Sequence, residues 1–290
     1  MSAAVNSKST GRKDALRLIA AETQSLLPGV LALKPQAPAN AHYYPHARMP
    51  ALEPRHNNPR LTTKVEVLSG DTFDVALSLE STPCVSNSTQ AVHVCVLNMA
   101  SEKHAGGGWL NGALAQEEEL CYRSSLSSTL KKSYYPIGKR DAIYSPSVVV
   151  FRENINNGHR VMDLSKPELL PVVSVISVAA VRRPQLKKGA ALPRYTYAAD
   201  RDLMKDKMRS ILRVAIYNKH RKLVLGAFGC GAFGNPNNEV ADCWAEVLQE
   251  EEFQGRWETL IFAVLDNVPG GGNRTTNFEV FRKRLHGLGI

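Results

Sequence analysis

The chain has 290 residues, of which 43% are hydrophobic, and it carries a formal net charge of +9. This length allows one or two domains with a sizeable apolar core. No apolar run approaches the ~20 residues that span a membrane, and residues 1–13 lack the apolar core of a signal peptide. We therefore expect neither a membrane protein nor a secreted one.

The cysteines and the charge bear on the environment of the chain. Five cysteines are scattered along it without CxxC spacing: Cys84, Cys95, Cys121, Cys230 and Cys243. This pattern is typical of reduced thiols in a nuclear or cytoplasmic protein, and it indicates neither a disulfide framework nor a zinc site. The basic balance suits a polyanionic partner, although the clusters of lysine and arginine are also typical of solvent-exposed faces.

The predicted elements begin with an amphipathic helix over residues 14–27. Residues 33–59 are rich in proline, histidine and alanine and predict an irregular segment. From residue 63 onward, strand and helix patterns alternate. Predicted strands cover residues 65–68, 91–97, 142–144, 148–151, 171–180, 223–228 and 260–265. Predicted helices cover residues 116–130, 199–217, 239–250 and 277–286.

This alternation, with glycine-rich loops at strand ends, predicts a three-layer α/β/α domain. We expect the domain to cover residues 61–290. Residues 1–60 would form a helical and irregular extension that packs on it. The pattern alone does not separate this fold from other doubly wound folds.

The most informative motif is a triple glycine followed, after a short spacer, by a glutamine and three glutamates: Gly106, Gly107, Gly108, Gln116, Glu117, Glu118 and Glu119. Glycines let the backbone lie against a ligand where a Cβ would clash. The motif follows a strand-like segment, which is where α/β proteins place their ligand loops. Alone, the glycines indicate only a turn and the glutamates only an acidic helix start. Together they favour acid–base chemistry beside a bound ligand.

The three glutamates are not expected to share one role, because successive helical residues point about 100° apart. Glu119 has Arg123 four residues further on, which predicts a solvent-exposed ion pair on the helix surface. Glu117 and Glu118 are left to face a ligand.

The second motif is a glycine-rich loop directly after a predicted strand: Gly226, Ala227, Phe228, Gly229, Cys230, Gly231, Ala232, Phe233, Gly234 and Asn235. Such a loop can turn several N–H groups inward, and the helix after it adds positive potential, which is typical of a diphosphate site. The alternative is a tight connection without a ligand. Phe233 would pack either against a ribose or in the core. Cys230 has no histidine near it in sequence, which favours packing behind the loop over a nucleophilic role.

Together, the two motifs resemble the signature of poly(ADP-ribose) glycohydrolases of the macrodomain class, in the shorter microbial type found in bacteria and fungi. The first block runs from Asn98-Met99-Ala100-Ser101 through the glycines to Gln116-Glu117-Glu118, and the second resembles that family's diphosphate-binding loop. The resemblance implies a macrodomain with a mixed central sheet. It also implies hydrolysis of ribose–ribose O-glycosidic bonds, mainly from the chain end, with ADP-ribose as product.

The resemblance also implies roles for individual residues. Glu118 would be the catalytic acid and base, and Glu117 would bind the hydroxyls of the terminal ribose. The implied ligand contacts are Asn98, Gly106, Gly107, Gly108, Gln116, Gly229, Cys230, Gly231, Ala232, Phe233 and Gly234. Asp266, Asn267 and Phe278 could border the adenosine pocket, judged from their position in sequence.

The histidines and aspartates lack metal-site spacing, so we expect catalysis without a metal or other cofactor. The implied partners are poly(ADP-ribose) or ADP-ribosylated protein as substrate, with no membrane and no required DNA contact. We expect a monomer in the nucleus or cytoplasm, with a place in the DNA damage response.

Two other functions remain open, besides a hydrolase of nucleotide sugars or of NAD derivatives. One is a hydrolase that removes single ADP-ribose units from protein or nucleic acid, because its loops would look the same. The other is a non-catalytic ADP-ribose reader, which has no need of the intact Gln116-Glu117-Glu118. Residues 33–59 and 184–194 do not clearly match the larger animal enzymes, so cleavage inside chains is not inferred.

Overall fold

The computed structural model describes residues 2–54, 61–80, 93–187, 189, 192–265 and 275–290. The strands within these ranges are β1 His42–Tyr44, β2 Glu66–Leu68, β3 Cys95–Met99, β4 Ala142–Val149, β5 Val172–Val178, β6 Lys222–Leu225 and β7 Thr259–Ala263. They form one sheet in the order β1-β4-β5-β3-β6-β7-β2. The five strands from β5 to β2 are parallel, and β4 and β1 are antiparallel to their neighbours. The sheet is therefore mixed, as predicted.

Helices cover both faces of this sheet and complete the predicted three-layer arrangement. They are α1 Ser2–Leu33, α2 Thr72–Glu80, α3 Gln116–Arg123, α4 Leu126–Thr129, α5 Ala198–Tyr217, α6 Asn237–Leu248 and α7 Asn277–Leu285. One core contains Met208, Trp244 and Phe281 from α5, α6 and α7. The opposite core contains Leu16 and Phe73 from α1 and α2, together with residues of α3.

Strand β3 shows how the sequence produces the two cores. Cys95 and Leu97 belong to the core on the α5 side, whereas Val96 belongs to the core on the α1 side, because successive strand residues point to opposite faces. Strands β3, β5 and β6 are adjacent and parallel, so their carboxyl ends lie at the same edge. The loops after Met99, Val178 and Leu225 meet there.

The N-terminal helix is longer than predicted. It continues through Pro28 to Leu33, although proline removes one helical N–H donor. Leu27 and Val30 on either side of Pro28 are buried in a third apolar cluster with the end of β4. This burial offsets the missing hydrogen bond.

Helix α1 also corrects the prediction that no segment of the chain is long and apolar enough to span a membrane. By length and composition alone, Gly11–Leu33 is long and apolar enough to cross a membrane, whereas the sequence analysis found no such segment. Leu16 and Ala20 of this stretch are buried in the protein core, and Thr23 donates a hydrogen bond to the carbonyl of Tyr122 at 3.0 Å. One such helix near the N-terminus is weak evidence for a membrane span.

Three local predictions differ from the structure. Residues 42–44, inside the predicted irregular segment, form edge strand β1. The predicted helix over 116–130 breaks between α3 and α4, because Ser125 donates its N–H to the carbonyl of Val149 and accepts from Val149 N–H through its hydroxyl. The two strands predicted over 142–151 are one strand, β4, with an irregularity between Ser145 and Val148.

Candidate active site

The loops after β3, β5 and β6 enclose a cavity of about 590 Å³, a size typical of small-molecule sites. Most of the predicted site residues line it: Gly107, Gly108, Gln116, Glu117, Glu118, Gly229, Gly231, Ala232 and Phe233. The two motifs, more than 100 residues apart in sequence, therefore form one site.

Gln116, the first residue of α3, fixes the helix to the end of β3. Its Oε1 accepts from Met99 N–H at 2.9 Å, and its Nε2 donates to the carbonyl oxygen of Leu97 at 2.7 Å and to Thr72 Oγ1 at 3.2 Å. The side-chain amide is thus used in positioning the glutamates that follow it. A direct ligand contact from Gln116 stays a prediction.

Glu117 is buried at the inner end of the cavity. Its Oε2 accepts from Ser101 N–H at 2.7 Å, and its Oε1 accepts from Asn98 Nδ2 at 3.3 Å. Burial raises the pKa of Glu117 to about 8, against the hydrogen bonds from Ser101, Asn98 and the Gly106 backbone, which lower it. The neighbouring charge of Glu118 contributes to the rise and is included in this value. A pKa of about 8 favours the protonated form of Glu117 at neutral pH.

Asn98 orients Glu117 from behind. Its Nδ2 is shared between Glu117 and Ser177 Oγ, the latter at 3.0 Å, and its Oδ1 is buried with no partner among the described residues. Within the described part of the chain, Asn98 does not line the cavity. Its predicted contact with a ribose stays a prediction.

Glu118 faces the cavity with both oxygens held by backbone groups. Oε1 accepts from Gly108 N–H at 2.9 Å, and Oε2 accepts from Ala115 N–H at 3.0 Å. Ala115 is the N-cap residue of α3, so Glu118 closes the first turn of its own helix. Among the described residues, Glu118 has no side-chain hydrogen-bond partner, so these two backbone contacts fix its carboxylate.

Glu119 is not the solvent-exposed partner of Arg123 that the sequence analysis expected. It is buried, its Oε2 lies 2.9 Å from His159 Nε2, and its Oε1 accepts from Ile155 N–H at 3.1 Å. Arg123 is buried as well, and it pairs with Asp71 and, at 2.7 Å, with Asp74. Helical spacing correctly placed Glu119 on a different face of α3 from Glu117 and Glu118. That face is packed against the rest of the protein and is not exposed to solvent.

The second loop offers free backbone donors to the cavity. Inside the loop, Cys230, Gly234 and Asn235 donate their N–H groups to backbone carbonyls. Within the described structure, four amides of the segment 229–233 have no hydrogen-bond acceptor, and the four residues all line the cavity: Gly229, Gly231, Ala232 and Phe233. Several N–H groups that converge in this way form an anion site.

A family model described as the microbial-type PARG catalytic domain matches residues 31–153. Among solved structures, the poly(ADP-ribose) glycohydrolase of Thermomonospora curvata is 28% identical over 94% of this chain and 100% of its own, with a TM-score of 0.75. That of Deinococcus radiodurans in complex with ADP-ribose is 30% identical over 77% of this chain and 84% of its own, with a TM-score of 0.59. The chain belongs to the microbial-type poly(ADP-ribose) glycohydrolase family.

A second structure of the T. curvata enzyme, bound to the inhibitor ADP-HPD, is 27% identical, with a TM-score of 0.74 and coverage of 94% of this chain and 100% of its own. No curated protein matches. The family membership makes this chain an enzyme of the glycohydrolase class, and the predicted macrodomain fold is confirmed.

Three predicted ligand residues of this glycohydrolase lie beside the cavity rather than on it, within the described residues: Gly106, Cys230 and Gly234. The Gly106 backbone N–H lowers the pKa of Glu117. Cys230 packs against the core behind the loop, as expected, and burial raises the pKa of its thiol. Ligand contacts from these three residues stay predictions. Phe233 both lines the cavity and packs against the core.

The sequence analysis assigned no role to three contributors to the glycohydrolase site. Asn235 is buried and connects the second loop to the segment that follows β5, because its Nδ2 donates to the carbonyls of Val181 at 2.6 Å and Gly229 at 3.0 Å. Ser101 holds Glu117 through its backbone. Arg182, after β5, lines the cavity, and the rule that ligand loops follow parallel strands could have found it. Asp266 and Asn267 lie outside the described residues, and Phe278 stacks under Arg282 at 5.9 Å.

Proposed function

We propose that this enzyme cleaves the ribose–ribose O-glycosidic bond next to the terminal unit of poly(ADP-ribose) and releases ADP-ribose. The observation that carries the proposal is the pairing, in one cavity, of the Glu117–Glu118 carboxylates with the four free N–H groups of the second loop. The loop suits a diphosphate, and the carboxylates suit the ribose attached to it. The complex of the D. radiodurans relative with ADP-ribose supports this assignment.

Glu118 is the proposed acid and base. Cleavage breaks the bond between the anomeric carbon and the leaving oxygen, and positive charge develops at that carbon. In the substrate complex, a protonated Glu118 gives its proton to the leaving oxygen, and the resulting carboxylate then takes a proton from the water that attacks the anomeric carbon. The products are ADP-ribose and a chain shortened by one unit, and Glu118 returns to its starting state.

Glu117 is proposed to hold the terminal ribose. In its protonated form it has one O–H donor and further acceptor lone pairs, so it can bond two ribose hydroxyls. Its proton also removes one negative charge from beside Glu118 and from the path of an anionic substrate. Because Glu117 is anchored to Asn98 and Ser101, the bound ribose would take a defined position against Glu118.

Chain-end cleavage is proposed because the cavity, at about 590 Å³, has the size of a single-ligand site rather than of a channel for a polymer. Cleavage at the end gives free ADP-ribose from the first turnover, whereas internal cleavage gives oligomers first. We further propose a nuclear or cytoplasmic location, which the scattered cysteines without CxxC spacing suit, and a role in the DNA damage response.

The test measures ADP-ribose released from purified poly(ADP-ribosyl)ated protein, with product lengths resolved at early times. The wild type should release ADP-ribose as the main early product, and Glu118→Gln should lose about 10³-fold in kcat because the proton transfers are lost. Glu168→Gln, at an exposed position, is the matched control and should keep wild-type activity. Glu119→Gln is an unsuitable control because Glu119 is buried.

Absence of release by a wild-type protein that binds ADP-ribose would reject the proposal. Removal of single units from mono-ADP-ribosylated protein would then identify the related hydrolase. Binding without any hydrolysis would identify a reader.

A further inference from the structure

The N-terminal helix α1 lies against the loop that follows the triple glycine, and its backbone comes nearest to that loop at Gly112. This glycine has φ +74°, and a Cβ placed on it would lie 2.2 Å from the carbonyl oxygen of Lys13 and 2.9 Å from Lys13 Cγ. The helix backbone therefore lies directly against Gly112. Only a residue without a side chain permits this approach.

Gly112 belongs to a compact segment, residues 108–113, which we call the catalytic turn. Asn111 N–H and Ala113 N–H both donate to the carbonyl of Gly108, at 2.9 and 3.2 Å, and Gly112 N–H donates to that of Trp109 at 3.1 Å. The other end of the turn is Gly108 N–H, which donates to Glu118 Oε1. The turn thus connects the surface of α1 directly to the proposed catalytic carboxylate.

Other contacts seat α1 on the same structure. Leu16 of α1 is buried in one cluster with Trp109 of the turn and Tyr122 of α3. The Tyr122 hydroxyl lies 2.7 Å from the carbonyl oxygen of Ala113 and 2.8 Å from that of Trp109. Thr23 of α1 donates to the carbonyl of Tyr122. The turn is therefore enclosed between α1 and α3.

We propose that α1 is a positioning element of the active site, which holds the catalytic turn through Gly112 and Leu16 and thereby keeps Gly108 N–H on Glu118. The inference rests on the proposed role of Glu118. Almost all of α1 precedes residues 31–153, the segment that matches the family model. The helix would act on turnover and not only on stability, because a small displacement of a catalytic group lowers the rate while the diphosphate loop still binds ADP-ribose.

Two glycine variants distinguish the positioning role of α1 from an effect of backbone strain alone. Gly112 and Gly158 each end a short 3-10 helix, with φ/ψ of 74°/25° and 69°/24°. A Cβ on Gly158 would meet nothing within 4 Å. Gly112→Ala and Gly158→Ala thus impose the same backbone strain, and only the first pushes against α1.

A pair of leucines tests the same contact from the helix side. Leu16 is 4% exposed and Leu18 is 73% exposed. Leu16→Ala and Leu18→Ala make the same chemical change two positions apart in one helix, and only the first loosens the seat of α1. This pair decides the question if Gly112→Ala does not fold.

Four quantities are measured for each variant at a temperature where it is folded: kcat and KM on poly(ADP-ribose), the Kd for ADP-ribose, and the ¹H shift of the Gly108 amide in ¹⁵N-glycine-labelled protein. Gly112→Ala should lower kcat about tenfold or more, with the Kd changed less than about twofold. Leu16→Ala should lower kcat severalfold. In both, the Gly108 amide should shift upfield as its bond to the carboxylate weakens. Gly158→Ala and Leu18→Ala should match the wild type in kcat and in amide shift.

Equal kcat in the two members of each pair, or unchanged Gly108 shifts in Gly112→Ala and Leu16→Ala, would overturn the inference. The amide shift needs no substrate, so it tests the inference even if the wild type releases no ADP-ribose. A wild-type protein that releases no ADP-ribose would reject the proposed function and leave this inference to the amide shift.

Discussion

A Cβ placed on Gly107 would lie 2.3 Å from Glu118 Oε1 and 2.9 Å from Glu117 Oε2. Gly107, the second glycine of the triplet, therefore lies directly against the carboxylates of Glu117 and Glu118, although a spacer separates them in sequence. Its φ of +60° adds a second reason for glycine, because other residues rarely adopt this conformation. The glycines and the glutamates of the first motif are thus one structural unit.

Replacing Gly107 should abolish most activity. In Gly107→Ala the new methyl group displaces both carboxylates, so we expect kcat/KM to fall at least about 10²-fold. Gly287→Ala is the control, since Gly287 also has a positive φ, +83°, but no atom within 4 Å of the added Cβ. Both variants should lose about 1–2 kcal/mol of stability from strain, measured by denaturant unfolding. Equal activity in the two variants would contradict the role given to Gly107.

The raised pKa of Glu117 predicts a pH dependence of stability. Its folded pKa of about 8 lies above the ordinary value of 4.5, so between these values the folded state holds a proton that the unfolded chain has lost. The free energy of unfolding therefore falls as pH rises from about 4.5 to about 8, by roughly 3–5 kcal/mol from this group. Below and above that window the contribution is constant.

Glu117→Gln removes this dependence. We expect its unfolding free energy, relative to the wild type, to increase steadily between pH 5 and pH 8. Where the Gln amide faces Ser101 N–H or Asn98 unfavourably, that loss of stability is the same at every pH. The change with pH in the difference between the two unfolding free energies therefore reports only the titration of Glu117. Denaturant titrations at several pH values measure it. A difference that is flat across this window would show that Glu117 ionises normally in the folded protein.

The main features of the fold could be predicted from local sequence patterns. Strand periodicity and the loops after strands predict the sheet, the two cores and the meeting of the two motifs. The surroundings of Glu119 were not predictable in this way, because His159 is 40 residues away and only tertiary packing joins them. The same holds for Gly112, whose partner, Lys13, lies about 100 residues earlier on a helix of different pattern.

Glu119 is expected to support stability rather than catalysis. Glu119→Gln weakens the contacts with His159 and Ile155 N–H, and the loss of a buried charged hydrogen bond costs about 1–3 kcal/mol. Unfolding measurements should show that loss, with kcat within about twofold of the wild type in folded protein. The exposed Glu168→Gln should change neither quantity. A large fall in kcat for folded Glu119→Gln would mean that all three glutamates act together at the reaction centre.

The last prediction concerns Asn235, which fixes the shape of the second loop. In Asn235→Asp, a carboxylate oxygen replaces the Nδ2 that donates to the carbonyls of Val181 and Gly229, so two attractions become repulsions. We expect a loss of about 2–4 kcal/mol in stability and a Kd for ADP-ribose at least about tenfold weaker, because Gly229 and its neighbours no longer hold their N–H groups in place.

Tyr195→Phe provides the comparison for Asn235→Asp. The Tyr195 hydroxyl donates to Asn235 Oδ1 at 2.9 Å, and its removal leaves both bonds from Asn235 Nδ2 intact. Calorimetric titration with ADP-ribose should therefore give a Kd within about twofold of the wild type. If both variants lose affinity equally, the buried cluster stabilises the protein as a whole. If only Asn235→Asp does, the four free N–H groups depend on this one side chain for their alignment.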